Sequence, residues 1–366
     1  MAGIVSRLYR GETRIGFIAS RKRWYLASLI LIVICVLSIA IRGFNYSVDF
    51  AGGTTYRIQV AGTSLTTNQV DTAFRDEGVT PENPPSKVGT GSSRQIVVSL
   101  SKLTAQRQEA ITASVAKKLN IQSSKMNPNF VSSDWGHNIS VQAIQGLIIF
   151  LIAVSIYISI RFQWRMAVGG IVALLHDLLI AAGVYSLVGF EVSPSTVVGL
   201  LTILGFSLYD TVVVYDKVAE NSRDLLAGSR MTFSDAANLA VNQTLMRSIN
   251  TSLIALLPVA GLLFVGVGVL GVGTIKDLAL VLFVGLASGA YSSLFLATPL
   301  VVDLTERDPA YKALTKRVVA KRASEAKRAE AIESGDLAAA AAAAPRRAGG
   351  PAPAPRPGAR PQRKRK

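Results

Sequence analysis

Six long apolar runs constrain this chain more than any other feature of its sequence. A helix needs roughly 20 apolar residues to cross the hydrocarbon core of a bilayer, which is about 30 Å thick. Half of the 366 residues are hydrophobic and 17% are charged, whereas soluble domains carry roughly a quarter charged residues. The predicted spans lie at about 24–41, 139–160, 166–189, 192–215, 248–268 and 278–302. The sequence therefore predicts a polytopic α-helical membrane protein with six transmembrane helices.

The basic residues orient the predicted spans, because lysine and arginine mark the cytoplasmic side of a membrane protein. Both terminal segments, 1–23 and 303–366, are basic and are expected in the cytoplasm, together with the loop 216–247. Residues 42–138 are then the extracytoplasmic domain, and 139–302 form the bundle of the second to sixth spans. No small-residue cleavage site follows the first span, which indicates an uncleaved signal anchor.

The extracytoplasmic segment combines strand and helix patterns. Apolar residues alternate at Tyr56, Ile58 and Val60, as in a half-buried strand. Thr104 is a candidate N-cap. Strands are predicted at 56–60, 96–100 and 129–131, and helices at 68–77 and 104–119. These patterns predict a small α+β domain with the helices on one face of a sheet.

The C-terminal segment changes character after the last span. Lys312 to Glu333 is rich in lysine, arginine and glutamate and is expected to be helical, whereas the alanine run 338–344 and the basic end are expected to be disordered. The basic residues set the membrane orientation. The alternative is attachment to anionic lipid or ribosomal RNA.

Ionisable side chains inside the spans are candidates for function, because inserting one costs roughly 2.5–3.5 kcal/mol. Asp210 shares one face of the fourth span with Ser207 and Thr211. A second polar stripe at the start of the fifth span contains Thr244, Arg247, Ser248 and Thr251. Arg247 is the expected partner of Asp210. Two interpretations stay open: a proton-binding carboxylate whose ionised form the arginine favours, or a structural hydrogen bond beside a snorkelling arginine.

His176 and Asp177 lie near the middle of the third span. A neutral histidine beside a carboxylate can relay protons, but adjacent residues point about 100° apart on a helix and need not act together. The alternative is interhelical hydrogen bonding, with Gln142 and Gln145 of the second span as partners.

Several classes of chemistry are excluded by what the sequence lacks. Cys35 is the single cysteine and cannot form an intramolecular disulfide, and two histidines, His137 and His176, argue against a metal site. The sequence contains no phosphate-binding loop, no H-E-x-x-H motif and no nucleophile elbow. We therefore predict that the chain is not an enzyme, carries no cofactor or metal, and is driven by an ion gradient or by the ATP of a partner.

Glycine patterns complete the list of features within the spans. Gly285 and Gly289 form a G-x-x-x-G pattern, which predicts close packing against another helix. The glycines between Gly266 and Gly273 predict a short outer turn, with a hinge as the alternative.

Three motifs together resemble the SecF proteins of the SecD/SecF family. The first is Asp49-Phe50-Ala51-Gly52-Gly53-Thr54, just after the first span. The second runs from Asp210-Thr211 to Tyr215-Asp216 and leads to Glu220-Asn221; the third is Asn242-Gln243-Thr244-Leu245-Met246-Arg247-Ser248. The resemblance covers about residues 24–302. Where many relatives have Gly-Tyr-Ser-x-Asn-Asp, this chain has Gly205-Phe206-Ser207-Leu208-Tyr209-Asp210. Its long tail is similar to that of actinobacterial members.

The resemblance implies a half-unit of the RND superfamily with a ferredoxin-like outer domain, in the cytoplasmic membrane of a bacterium. It implies pairing with SecD beside the SecYEG channel and use of the proton-motive force to promote late translocation of unfolded preproteins, after SecA has acted. Asp210 and Arg247 match the family's proton-coupling residues. YajC and membrane lipids are further expected partners, and no specific nucleic acid is expected. The alternatives are a scaffold that stabilises SecD at the channel and an RND-like exporter of lipids or small molecules.

Overall fold

The structure is a computed structural model that describes residues 15–89, 91–269 and 276–334. In chain order its elements are α1 (Arg21–Arg42), β1 (Asn45–Tyr46), α2 (Val48–Ala51), β2 (Gly53–Gln59), α3 (Thr67–Arg75), β3 (Ser86–Val88), β4 (Gln95–Leu100), α4 (Ala105–Lys118), β5 (Met126–Val131), α5 (Ser133–Arg161), α6 (Trp164–Val188), β6 (Glu191–Val192), α7 (Pro194–Asn221), α8 (Phe233–Ala260), α9 (Lys276–Ser292), α10 (Thr298–Glu306) and α11 (Pro309–Glu333). Two π-helical segments, Gly261–Val269 and Ser293–Ala297, continue α8 and join α9 to α10.

Within the described ranges, six helices are long and apolar enough to span a membrane, which confirms the predicted number. They are α1, α5, α6, α7, α8 with its π-helical continuation, and α9 with α10. Most of 216–247, expected as a loop, is helical, and only about 222–232 connects α7 to α8. The apolar pattern marks the length that can lie in hydrocarbon, whereas a helix satisfies its own backbone groups and can continue beyond it.

The segment between α1 and α5 contains a four-stranded antiparallel sheet with the order β3-β4-β2-β5. The three predicted strands and both predicted helices are present. The short strand β3 was not predicted, because three residues are too few to show an alternation. Both helices lie on one face of the sheet, since side chains of α3 and α4 share one buried core with Tyr56 and Ile58 of β2. Thr104 caps α4, as its position predicts.

The backbone conformation explains why the first motif has two glycines. Gly52 and Gly53 have φ values of 74° and 145°, which residues with a side chain rarely adopt. A Cβ atom on Gly53 would lie 2.5 Å from the carbonyl oxygen of Leu100. The preceding helix α2 packs against α5, where a Cβ atom on Gly136 would lie 2.6 Å from the carbonyl oxygen of Phe50. The motif therefore joins the first span, the sheet and the second span.

The predicted turn after the third span is also paired. Strand β6 follows α6 and pairs in parallel with β1, with Asn45 opposite Glu191. The Asn83 amide donates to the Glu191 carboxylate at 3.3 Å. These contacts tie the sheet-containing segment to the ends of α6 and α7.

Glu82 makes the stability of this region depend on pH. Desolvation of the Glu82 carboxyl and the negative charge of Glu191 raise the pKa of Glu82. A raised pKa means that Glu82 stabilises the folded chain at low pH and that this contribution is lost as the pH rises through the folded-state pKa. We expect Glu82→Gln to raise the thermal unfolding midpoint at pH 7 and to change it little near pH 4. The pKa of a free glutamate side chain is about 4.3, so most of the carboxyl is protonated near pH 4. The control Glu109→Gln, on the exposed surface of α4, should show no such difference. Equal shifts at both pH values would contradict this prediction.

Residues 224–233 and 307–334 belong to a separate compact unit. Within it, Arg317 donates to the carbonyl of Leu226 at 3.3 Å, and the rings of Phe233 and Tyr311 lie 5.3 Å apart. The predicted helix Lys312–Glu333 is present as α11. The alanine run 338–344 and the basic end of the tail lie outside the described residues, as do residues 1–14 and Gly271 and Gly273 of the glycine turn.

Candidate functional site

Two carboxylates are buried between the apolar spanning helices. Asp177 of α6 is 1% exposed, and Asp210 of α7 is 7% exposed. A charged side chain inside a membrane protein is unfavourable unless it has polar partners. Serine hydroxyls on neighbouring helices bind both carboxylates, and Asp177 also contacts His176.

Asp210 accepts two hydrogen bonds from different helices. Ser248 of α8 donates to one carboxylate oxygen at 2.6 Å, and Ser293 of the π-helical segment donates to the other at 2.5 Å. Asp210 therefore links α7 to α8 and to the sixth span.

Asp177 has a larger set of donors. Ser288 and Ser292, one helical turn apart on α9, donate to it at 2.6 and 2.7 Å. Ser207 of α7 donates at 2.6 Å, and Nδ1 of His176 lies 3.2 Å away. The carboxylate therefore joins α6, α7 and α9.

Close packing of α7 against α9 brings these groups into reach. A Cβ atom on Gly285 would lie 2.0 Å from Cδ1 of Ile203, and one on Gly289 would lie 3.0 Å from Cβ of Ser207. The packing predicted from the G-x-x-x-G pattern is confirmed. The π-helical segment begins at Ser293, directly after Ser292, so that consecutive serines serve different carboxylates. Such π-helical segments occur frequently at functional sites.

The expected ion pair between Asp210 and Arg247 is not present in the structure. Arg247 is exposed on α8, and the next residue, Ser248, is buried and donates to Asp210. Adjacent residues point about 100° apart on a helix, so only one of the two can face α7 in a given packing. The packing observed here selects the serine.

The threonines of the predicted polar network bond within their own helices. The hydroxyls of Thr211, Thr244 and Thr251 donate to the carbonyls of Ser207, Ala240 and Arg247, at 2.9, 2.9 and 2.8 Å. Serine and threonine hydroxyls commonly bond the carbonyl four residues earlier. The described hydrogen bonds of these three residues do not reach a carboxylate.

His176 contacts Asp177 although the two residues are adjacent on α6. The histidine is 3% exposed, and its Nε2 atom is buried without a hydrogen-bond partner among the described residues. The expectation that Gln142 and Gln145 are partners is wrong, because both glutamines are exposed and serines of α7 and α9 bind Asp177 instead.

A small cavity of about 10 Å³ lies beside Asp210, lined also by Phe206 and Ser252. That volume is about the size that holds one water molecule. A larger polar cavity of about 230 Å³ lies beside the sheet, where Asp49 of the first motif faces Arg57, Glu191 and Asp277. Thr54 of the same motif is buried in β2. Among the described residues, no group of three or more histidine, cysteine or acidic side chains could hold a metal ion.

Comparison with known families matches two parts of the chain. The family described as protein export membrane protein SecD/SecF, C-terminal, matches residues 110–307, and the SecD/SecF GG motif matches residues 37–63. The chain belongs to the SecD/SecF family. The GG motif contains Gly52 and Gly53, whose backbone conformations are described above.

Curated relatives within the SecD/SecF family are similar over most of their length. The protein translocase subunit SecF of Streptomyces coelicolor is 46% identical over 332 residues, which cover 90% of this chain and 87% of that protein. The subunit of the same name from Mycobacterium tuberculosis is 44% identical over 327 residues, covering 87% of this chain and 74% of that protein. Both relatives are actinobacterial, as the tail suggested.

Solved structures of SecDF are also similar. A crystal structure of SecDF, a translocon-associated membrane protein from Thermus thermophilus, matches with a TM-score of 0.70 and 31% identity over 81% of this chain. SecDF in a super-membrane-facing form matches with a TM-score of 0.60. This chain spans 39% and 40% of those two SecDF chains.

Sequence reasoning missed the serines of the sixth span. Ser288 and Ser292 lie four residues apart in an apolar helix, and that spacing was the available signal. The position of Ser293 depends on the π-helical segment, which an α-helical pattern does not reveal.

Proposed function

We propose that this chain is the SecF-type accessory subunit of the bacterial Sec export machinery, and that it uses the proton-motive force with a SecD partner to promote late translocation of unfolded preproteins. Relatives at 43–46% identity named protein translocase subunit SecF support the export role. The observation that carries the proton coupling is Asp210, a buried carboxylate held by two hydroxyls from two other helices.

The hydroxyls around Asp210 suit both of its protonation states. A hydroxyl can donate to an ionised carboxylate or turn and accept from a protonated one. Ser248 and Ser293 can therefore keep contact with Asp210 while it gains or loses a proton. The small cavity beside Asp210 has room for the water that delivers the proton.

Proton movement through Asp210 can bias a two-state equilibrium between helix arrangements. One proton that crosses a potential of 100 mV supplies about 2.3 kcal/mol, which changes such an equilibrium about 50-fold. A complete reversal from 1:99 to 99:1 would need about 5.5 kcal/mol. The helices that respond are α8 and the sixth span, because they carry Ser248 and Ser293.

Arg247 belongs to a second state of the bundle in this proposal. It precedes Ser248 on α8, so a rotation of that helix by about 100° exchanges the serine for the arginine beside Asp210. A guanidinium stabilises an ionised carboxylate. The helix would then alternate between a hydroxyl-bound and an arginine-bound carboxylate during each cycle.

The partners and the orientation follow from the same proposal. The solved SecDF chains are more than twice as long as this chain, and we assign the remaining part to a separate SecD partner. Contacts with the SecYEG channel, SecA, YajC, preprotein and membrane lipids are part of the proposed assembly. The basic N-terminus and tail support a cytoplasmic location for both termini of the bacterial protein.

The sheet-containing segment is proposed as a ferredoxin-like extracytoplasmic domain. Its element order from β2 to β5 is β-α-β-β-α-β. The strand order β3-β4-β2-β5 places β4 between β2 and β3, the first two strands of the segment. That arrangement is typical of the ferredoxin-like fold. The domain boundaries 42–138 and 139–302 remain those expected from the apolar pattern.

The test of this function is preprotein translocation into membrane vesicles depleted of the chain and resupplied with it. Resupply should restore export, and an uncoupler should remove the restored part while leaving export driven by SecA and ATP. Restoration that is insensitive to the uncoupler would favour the scaffold that stabilises SecD. The exposed position of Arg247, which forms no ion pair with Asp210 in this structure, is the observation that favours this second candidate. Normal export in depleted membranes would favour the RND-like exporter of lipids or small molecules.

A further inference from the structure

The proposed proton coupling gives no role to Asp177, the second buried carboxylate. It is 1% exposed and has donors on three helices. Those donors are Ser207 on α7, Ser288 and Ser292 on α9, and the neighbouring His176 on α6. A carboxylate enclosed by four donors is a built site, and a hydrogen bond between two helices would need only one.

An ionised Asp177 needs a nearby positive charge, because an isolated buried charge is strongly unfavourable. No lysine or arginine pairs with Asp177 in the part of the chain that the structure describes. The cations on the helices packed against α6 have other partners. Arg21 on α1 pairs with Asp303 and Glu306 on α10, Arg161 on α5 pairs with Asp216, and Lys217 on α7 pairs with Glu220. Arg42 on α1 donates to the carbonyl of Leu187, Lys276 on α9 lies over the ring of Phe190, and Lys22, Arg23 and His137 are exposed. Tyr291 on α9, whose ring lies 6.1 Å from that of His176, carries no positive charge. Among the described contacts of Asp177, this leaves His176.

His176 is placed to carry that charge. Its Nδ1 atom lies 3.2 Å from the Asp177 carboxylate, and its buried Nε2 atom has no partner among the described residues. A single proton makes the pair neutral overall, either as imidazolium with carboxylate or as imidazole with carboxylic acid. Loss of that proton to water leaves one negative charge inside the bundle.

Two elements, α7 and the sixth span, take part in both carboxylate sites. Ser207 donates to Asp177 and lies three residues before Asp210 on α7. Ser292 donates to Asp177, and the next residue, Ser293, donates to Asp210. A shift of α7 or of the sixth span that follows proton binding at one carboxylate must therefore change the hydrogen bonds of the other.

We propose that His176 and Asp177 form a second proton-binding site, which releases one proton to water and rebinds one from water in step with Asp210. Ser207, Ser292 and Ser293 link the two sites mechanically. This inference rests on the proposed proton coupling at Asp210, and it adds a second group that must change its protonation state during each cycle.

The first test compares variants in the vesicle assay at matched abundance. Asp177→Asn and His176→Gln should lower the uncoupler-sensitive part of export at least about ten-fold and leave the uncoupler-insensitive part unchanged. The largest expected decrease is about 50-fold, the factor that corresponds to one proton crossing 100 mV. The control is Ser186→Ala, which removes a buried hydrogen bond between α6 and α1 without touching a carboxylate. Asp177→Asn export equal to that of Ser186→Ala would overturn the inference.

Asp210→Asn in the same assay separates the two proposals. If Asp210→Asn loses uncoupler-sensitive export and Asp177→Asn keeps it, the second site is wrong and the proposed function stands. If both variants export like the wild type, the proposed function fails as well.

A second test does not measure export, and it can be applied to a variant that fails to assemble with its partner. Infrared difference spectra of the purified full chain are recorded between about pH 5 and 8, the range in which histidine titrates, with the exposed His137 replaced by asparagine throughout. We expect a titrating imidazole band that persists in Asp210→Asn and disappears in His176→Gln. Loss of that imidazole band in Asp210→Asn would overturn the second site.

Discussion

Gly285→Leu is expected to separate α7 from α9 and to abolish both carboxylate sites. A Cβ atom at this position would already lie 2.0 Å from Cδ1 and 2.8 Å from Cβ of Ile203, which is fully buried. Overpacking of this kind costs about 1–3 kcal/mol, and a leucine adds three more carbons to the collision. We expect a loss of about 3 kcal/mol, measured as a lower thermal midpoint of the purified chain and lower abundance in membranes.

Gly146→Ala is the matched control for that change. Gly146 is also a helical glycine, on α5, and a Cβ atom there meets no atom within 4 Å. Alanine is favoured over glycine in a helix by about 1 kcal/mol, so this variant should be as stable as the wild type or more stable. A Gly285→Leu protein with wild-type stability would show that α7 and α9 do not pack as described.

Gly53→Ala is expected to unfold the sheet-containing segment. Two effects combine: φ is 145° at this residue, and the added Cβ atom would lie 2.5 Å from the carbonyl oxygen of Leu100. Backbone strain costs roughly 1–3 kcal/mol, and the collision with a backbone atom adds about 1–3 kcal/mol. Because β2 is the strand that pairs with both β4 and β5, its displacement affects the whole sheet. Limited proteolysis should cut this segment much faster than in the wild type.

Gly62→Ala separates the two effects of the Gly53 change. Gly62 also has a positive φ, 73°, but a Cβ atom there meets nothing within 4 Å. The Gly62→Ala variant should lose only about 1 kcal/mol of folding free energy, from backbone strain alone. Equal protease sensitivity of the two variants would show that the contact with Leu100 contributes nothing.

The number of spans and the elements of the small sheet could be predicted because they depend on local sequence. A run of about 20 apolar residues identifies a span without knowledge of its neighbours. Alternation around Tyr56 and the N-cap Thr104 are equally local. The three-residue strand β3 was missed because its identity depends on its pairing with β4.

The carboxylates could be predicted, but most of their partners could not. An aspartate in an apolar run is conspicuous in any sequence, and Asp177 and Asp210 were both named. Their donors are serines, which do not interrupt an apolar pattern, and helix rotation decides which serine faces a carboxylate. The expected Asp210–Arg247 pair is absent from this structure for that reason, since α8 presents Ser248 to Asp210. Ser293 was hidden by a π-helical segment.

The central claim, that Asp210 couples a proton to export, is tested most directly by Asp210→Asn in depleted vesicles at matched abundance, with and without an uncoupler. Thr202→Val is the control, because Thr202 is an exposed residue of the same helix whose hydroxyl bonds to the backbone carbonyl of Val198. We predict that Asp210→Asn assembles with its partner but that its uncoupler-sensitive export falls by up to about 50-fold. That factor corresponds to about 2.3 kcal/mol, the energy of one proton crossing 100 mV. Export equal to that of the wild type and of Thr202→Val would contradict the claim and leave Asp210 with a structural role.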